Sequence, residues 1–122
     1  VEACSLFTDA EIADAIGGAV TSQPFGGGTV CRWSGDTGFV QASVSPITCE
    51  LLFAALDQNI DGDGQRIITD VGDGALVIEG ASNIQVRAAG GCFDVEAGDG
   101  SFEPVSDDIV LGLARLAVTR IV

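Results

Sequence analysis

Four cysteines, Cys4, Cys31, Cys49 and Cys92, sit in a chain of 122 residues that holds no histidine, lysine, tyrosine or methionine. Their spacing constrains the fold more than any other feature. No pair forms a C-x-x-C, so neither a zinc knuckle nor a thioredoxin-type motif is present. A four-cysteine zinc site would have to gather thiolates from widely scattered positions, and buried free thiols would suit a reducing cytosol. Two disulfides are the favoured reading, which places the chain outside the cytosol, secreted or anchored to the envelope of a bacterial cell. Of the three connectivities that four cysteines allow, Cys4–Cys31 with Cys49–Cys92 is preferred, because each bridge would tie a helix end to a strand. On the loop-closure account each bridge destabilises the unfolded chain by roughly 3.5–4 kcal/mol.

The length fits one domain spanning residues 1–122, and a hydrophobic fraction of 47% with six phenylalanines supplies a core without help from a metal. The formal charge is −13, from 18 acidic residues against five arginines. Such a field repels nucleic acids and anionic membrane surfaces, whose recognition needs clustered Lys or Arg. The acidity reads as coding bias in a GC-rich genome or as adaptation to high salt, ahead of a dedicated cationic partner. No apolar run approaches the ~20 residues of a membrane span. The start at Val1, with no basic or apolar leader before it, is expected of a mature or trimmed fragment whose export signal has been removed. A monomer is expected.

Local signals outline an α+β domain. Thr8 followed by Glu11 is a capping box for a helix over residues 8–16, with Ile12, Ile16 and Ala19 on one face and Gly17-Gly18 as the stop. Gly26-Gly27-Gly28 leads into a strand over 29–34, Asp36-Thr37-Gly38 reads as a hairpin turn, and Val40, Ala42 and Val44 alternate with Gln41, Ser43 and Ser45 in the next strand. Ser45-Pro46 opens a second helix with Leu51, Leu52, Ala55 and Leu56 as its buried face. Four short strands are expected over 66–71, 75–79, 83–88 and 92–97; in the last, Asp94 and Glu96 should meet solvent. A terminal helix capped by Ser106 carries Ile109, Leu113, Leu116 and Ala117 as its apolar stripe, with Arg115 and Arg120 near its negative end. The expected order is α-β-β-α-β-β-β-β-α, a single antiparallel sheet with helices packed on one face.

The opening Cys4-Ser5-Leu6-Phe7-Thr8-Asp9-Ala10-Glu11-Ile12, closing on Ile16-Gly17, resembles the start of small extracytoplasmic domains of actinobacteria. These include lipoproteins of unknown function and the extracellular sensor domain of mycobacterial membrane-anchored serine/threonine kinases. Cys31-Arg32-Trp33 is similar to the C-x-W strand of those domains, Val71-Gly72-Asp73-Gly74-Ala75 to their later G-D-x-A turn, and residues 109–118 to their closing helix. The resemblance implies an extracytoplasmic α+β sandwich, compatible with a lipid tether, and carries no established catalytic residue. Cys49 and Cys92 have no counterpart in that pattern.

Chemistry-bearing constellations are few. Asp57-Gln58-Asn59-Ile60-Asp61-Gly62 matches the first half of a calcium loop, but the twelfth position, where an EF-hand needs Glu, is Ile68. A looser calcium site would use Asp61, Asp63 and Asp73; the simpler reading is an exposed turn. Gly26-Gly27-Gly28 lacks the lysine of a phosphate loop and reads as a linker. Nucleophilic catalysis lacks an activating His or Lys, and a carboxylate pair for glycoside hydrolysis would want an aromatic cleft that one Trp and no Tyr do not furnish. Trp33 reads as a core residue against a disulfide before a ligand-stacking platform. Arg66 and Arg87, placed on neighbouring expected strands, offer a grip on a carboxylate ligand, with surface pairing as the simpler role. The expectation is a non-catalytic binding or sensing module without cofactor, its partner an unknown small molecule or protein, using the sheet face left uncovered by helices or a groove beside the second helix. The alternatives are a secreted interaction or inhibitor protein, and a calcium-dependent module built on the 61–73 loop.

Overall fold

Thr8 and Glu11 start the first helix as their spacing predicts. In the computed structural model, which describes residues 3–45, 65–78, 82–88, 91–99 and 107–121, Glu11 N donates to Thr8 Oγ1 at 3.2 Å and Thr8 N donates to Glu11 Oε1 at 2.8 Å. Helix α1, Asp9–Ile16, follows and ends at Gly17, whose left-handed φ of 80° suits a residue without a Cβ. A short 3-10 turn, Ala3–Ser5, precedes it.

Seven strands form one antiparallel sheet: β1 Thr21–Phe25, β2 Val30–Gly35, β3 Gly38–Ser45, β4 Gln65–Ile68, β5 Ala75–Ile78, β6 Asn83–Ala88 and β7 Gly91–Asp99. Their order across the sheet is β1-β2-β3-β7-β6-β5-β4. Two meanders, β1–β3 and β4–β7, are thus zipped together by β3 against β7, with Ala42 opposite Val95. The closing helix, α2, runs Asp107–Ile121. The expected fold class stands, with one strand more than the sequence predicts. That strand, β1, is exposed at all five positions and contains Pro24, so it shows neither apolar alternation nor β-forming composition. The second helix expected after Ser45-Pro46, with Leu51 to Leu56, and the Ser106 cap lie outside the described residues.

The strand registers assign every side chain to a face. Trp33, Val40 and Ala97 form one row; Cys31, Ala42, Val95, Ile84 and Val77 a second; Val44, Phe93, Val86 and Ala75 a third. These rows meet Ile12 of α1 and Val110, Leu113, Ala114 and Ala117 of α2 in the core, so both described helices cover the same face. The stripe on α2 is rotated relative to the expected one: Leu113 and Ala117 are buried, but Val110 and Ala114 replace Ile109 and Leu116, which are only partly buried. Arg120 locks the helices together. Its guanidinium bonds Glu11 through Nη1–Oε1 at 2.6 Å and Nη2–Oε2 at 2.5 Å, and donates to Leu6 O at 2.6 Å. The Arg120 guanidinium, and the capping bond that Glu11 accepts from Thr8 N, hold the Glu11 carboxyl down at about 2.

No described helix is long and apolar enough to cross a membrane.

Candidate functional site

The same registers that bury one face lay polar side chains on the other. Arg32, Gln41, Glu96 and Asn83 stand abreast on β2, β3, β7 and β6, and Ser43, Asp94 and Gln85 form the next row. Adjacent strands are ~4.8 Å apart, so these groups lie within reach of one extended polar ligand. Alternation alone produces this: each strand devotes its odd or even positions to the core and leaves the rest for the outer face.

Arg32 is held in place from two sides. Its Nη1 donates to Gln41 Oε1 at 3.4 Å, and its guanidinium carbon sits 4.4 Å from the centre of the Phe39 ring. The ring lies over β7 because residue 98 is glycine; a Cβ there would run into Phe39 Cε1. Asp94 is partly buried at the middle of the face. Burial pushes its carboxyl above the ordinary 3.8, a hydrogen bond from Ser43 opposes the rise, the neighbouring charge of Glu96 adds to it, and the Asn83 side chain donates a further opposing bond. Asn83 Oδ1 is itself buried and accepts no hydrogen bond among the described residues. Amide, hydroxyl, carboxylate and guanidinium groups therefore converge on one surface with both donors and acceptors. Such a surface offers hydrogen-bond donors and acceptors to a polar ligand.

The sequence-derived candidates fare differently. Cys4 and Cys31 are bridged, Cα–Cα 5.0 Å, which pins the 3-10 turn to the start of β2. Cys92 is also in a disulfide, and no described cysteine is free; Cys49, its expected partner, lies outside the described residues. Trp33 is fully buried with its ring edge-on to Phe7 at 5.5 Å, which rules out the stacking-platform reading and bears out the core one. Arg66 and Arg87 cannot form a joint grip: β5 separates their strands, and the registers put Arg66 in the row of Val77 and Ile84 and Arg87 in the row of Cys92, on opposite faces. Gly26, Gly27 and Gly28 take φ of 58°, 70° and 98° in a hairpin turn closed by Thr29 Oγ1 to Gly26 O at 2.8 Å, a turn and not a phosphate cradle.

Asp73 is exposed, with its backbone N–H on Arg87 O at 2.8 Å; Asp61 and Asp63 lie outside the described residues. Among the described residues no group of three or more Cys, Asp and Glu is placed to hold a metal ion.

The outer-face cluster was only half visible in the sequence. The placement of Asp94 and Glu96 on the outer face follows from alternation, though Asp94 is partly buried where solvent was expected, and their alignment with Gln41 and Ser43 depends on β3 meeting β7, for which no local signal exists. Comparison with protein-family models, curated proteins and solved structures finds no match.

Proposed function

We propose that the chain is a non-catalytic extracytoplasmic binding or sensing module that engages its ligand through the outer face of the sheet, as expected for the actinobacterial extracytoplasmic domains it resembles. The observation that carries the reading is the pair of polar rows, Arg32-Gln41-Glu96-Asn83 and Ser43-Asp94-Gln85, held on the four central strands. Central strands are the most rigid part of a sheet, and recognition groups placed there lose little freedom on binding. The Cys4–Cys31 bridge supports an oxidising compartment. The ligand is a small molecule or protein segment rich in hydrogen-bonding groups; nucleic acid is disfavoured by the charge of −13.

Amide NMR spectra recorded against a library of small polar fragments test this. Shifts clustered on Arg32, Gln41, Asn83, Asp94 and Glu96 support it. Shifts confined to the Asp73 turn on adding calcium would replace it with the calcium-dependent reading. Alkylation of unreduced protein tests export separately: four modified sulfurs on each molecule would remove the extracytoplasmic assignment.

A further inference from the structure

We infer that β1 is a self-association edge, and that two copies of this chain pair their β1 strands antiparallel about a two-fold axis to make one continuous sheet, in place of the monomer expected above. Residues 15–31 carry no charge, in a chain with 18 acidic residues and five arginines. The structure puts the middle of this segment, β1, on the outside, while Cys31 at its end is buried. All five β1 residues are exposed at the end of the sheet, and among the described residues Phe25 is the one large apolar side chain left exposed, at 44%. Edge strands that must stay single carry charges, which repel an incoming strand. The opposite edge follows that rule with Arg66 on β4, whereas β1 carries no charge and Pro24 blocks only one of its outward positions. Two molecules of charge −13 repel everywhere except where charge is lacking, so an uncharged edge is the surface on which a second copy meets least resistance.

Pro24 fixes the register. Proline in a sheet takes a position whose nitrogen faces away from its neighbour strand, so Pro24, and by the period of two Ser22 and Val20, turn their backbone groups outward from β2. Pairing about Ser22 sets Ser22 against its own copy, Thr21 against Gln23, Val20 against Pro24 and Ala19 against Phe25. Ser22 N–H and C=O bond reciprocally, Val20 N–H meets Pro24 C=O, and only the position where proline has no N–H goes unused. The exposed Phe25 ring then covers the exposed Ala19 of the second copy. Such an interface is small, below the ~1,200 Å² of stable complexes, so association is weak and reversible.

Sedimentation velocity over a concentration series reaching about 1 mM, in about 0.05 M and about 1 M salt, tests this, because screening removes like-charge repulsion. Dimer is expected to accumulate with concentration, and severalfold more at high salt. Mixed labelled and unlabelled protein should show intermolecular NOEs between the Phe25 ring and the Ala19 methyl; within one copy these groups are about 20 Å apart along the strand. Phe25→Asp should abolish the dimer with little change in Tm, while Thr119→Glu, which adds the same charge on exposed α2 surface, should leave it. A chain monomeric at every concentration and salt overturns the inference. So does a dimer without the Phe25–Ala19 NOE, and so does one that Phe25→Asp leaves intact.

Discussion

Replacing Glu11 by glutamine isolates one charge at the point where the two helices meet. Gln keeps an oxygen for Thr8 N and Arg120 Nη1 but turns the acceptor of Arg120 Nη2 into an NH2 donor, so the substitution removes the charge together with one arm of the bidentate contact, as protonation of the carboxyl does. The Glu11 carboxyl falls to about 2 from an ordinary 4.5. At about 1.36 kcal/mol for each pH unit of displacement, that gap corresponds to at most ~3.4 kcal/mol. The side chains of Arg120 and Glu11 remain 33% and 27% exposed, so solvent screening reduces the figure to about 1–2 kcal/mol. Because the folded value lies below the unfolded one, the contribution is complete above about pH 4.5 and is lost as pH falls from there toward 2. Urea denaturation of the disulfide-intact protein should therefore show Glu11→Gln weaker than the parent by about 1–2 kcal/mol at pH 7, a drop in Tm of roughly 4–8 °C, with the two converging near pH 2. Equal stability at pH 7 would refute the argument. A difference undiminished at pH 2 would refute it too, by showing that shape and not charge was lost.

Removing both Cys4 and Cys31 as alanines opens a loop with a sequence separation of 27 and should lower stability by roughly 3.5 kcal/mol in a denaturant titration; a change below about 1 kcal/mol would show that the unfolded chain gains little from the cut. Gly98→Ala should displace the Phe39 ring, cost about 1–3 kcal/mol, and shift the Arg32 side-chain resonances as the ring leaves the guanidinium. Asp94→Asn has the opposite pH sense to Glu11→Gln. Its folded carboxyl lies above 3.8, so the wild type loses stability as pH rises past that value, and the variant should lack this decline and be the more stable at pH 7. Parallel stability–pH curves for the two proteins above pH 4 would exclude it. Ile84→Ala, at a fully buried position of β6, should cost about 2–5 kcal/mol by calorimetry and leave the outer-face resonances of Gln85 in place.

Elements whose signals are local were legible. The Thr8–Glu11 box, the alternation of Val40, Ala42 and Val44, and strand β6 at residues 83–88 all stand where periodicity and capping put them. What needed the third dimension was not. Strand β1 owes its existence to β2, since Thr21–Phe25 has neither the composition nor the burial of a strand on its own. The α2 stripe turned by part of a turn because β6 and β7 decide which of its apolar residues face inward. Arg66 and Arg87 looked like partners from their strand positions, but β5 stands between their strands, and the odd offset of three residues from Ile84 to Arg87 sends them to opposite faces. The outer-face cluster depended on β3 finding β7, a pairing of remote segments that no window of sequence encodes.

That remote pairing also orders events in time. The first meander can close its own hairpins as soon as residue 45 is available, yet its apolar side stays open on the β3 flank until residues 91–99 have been made. The rate-determining step of folding should therefore be the capture of a late strand by an early one, on the millisecond-to-second scale of non-local β topologies. Until then β3 is a sticky unpaired margin, and a chain waiting in that state is where a chaperone, or an aggregate, would find its opening.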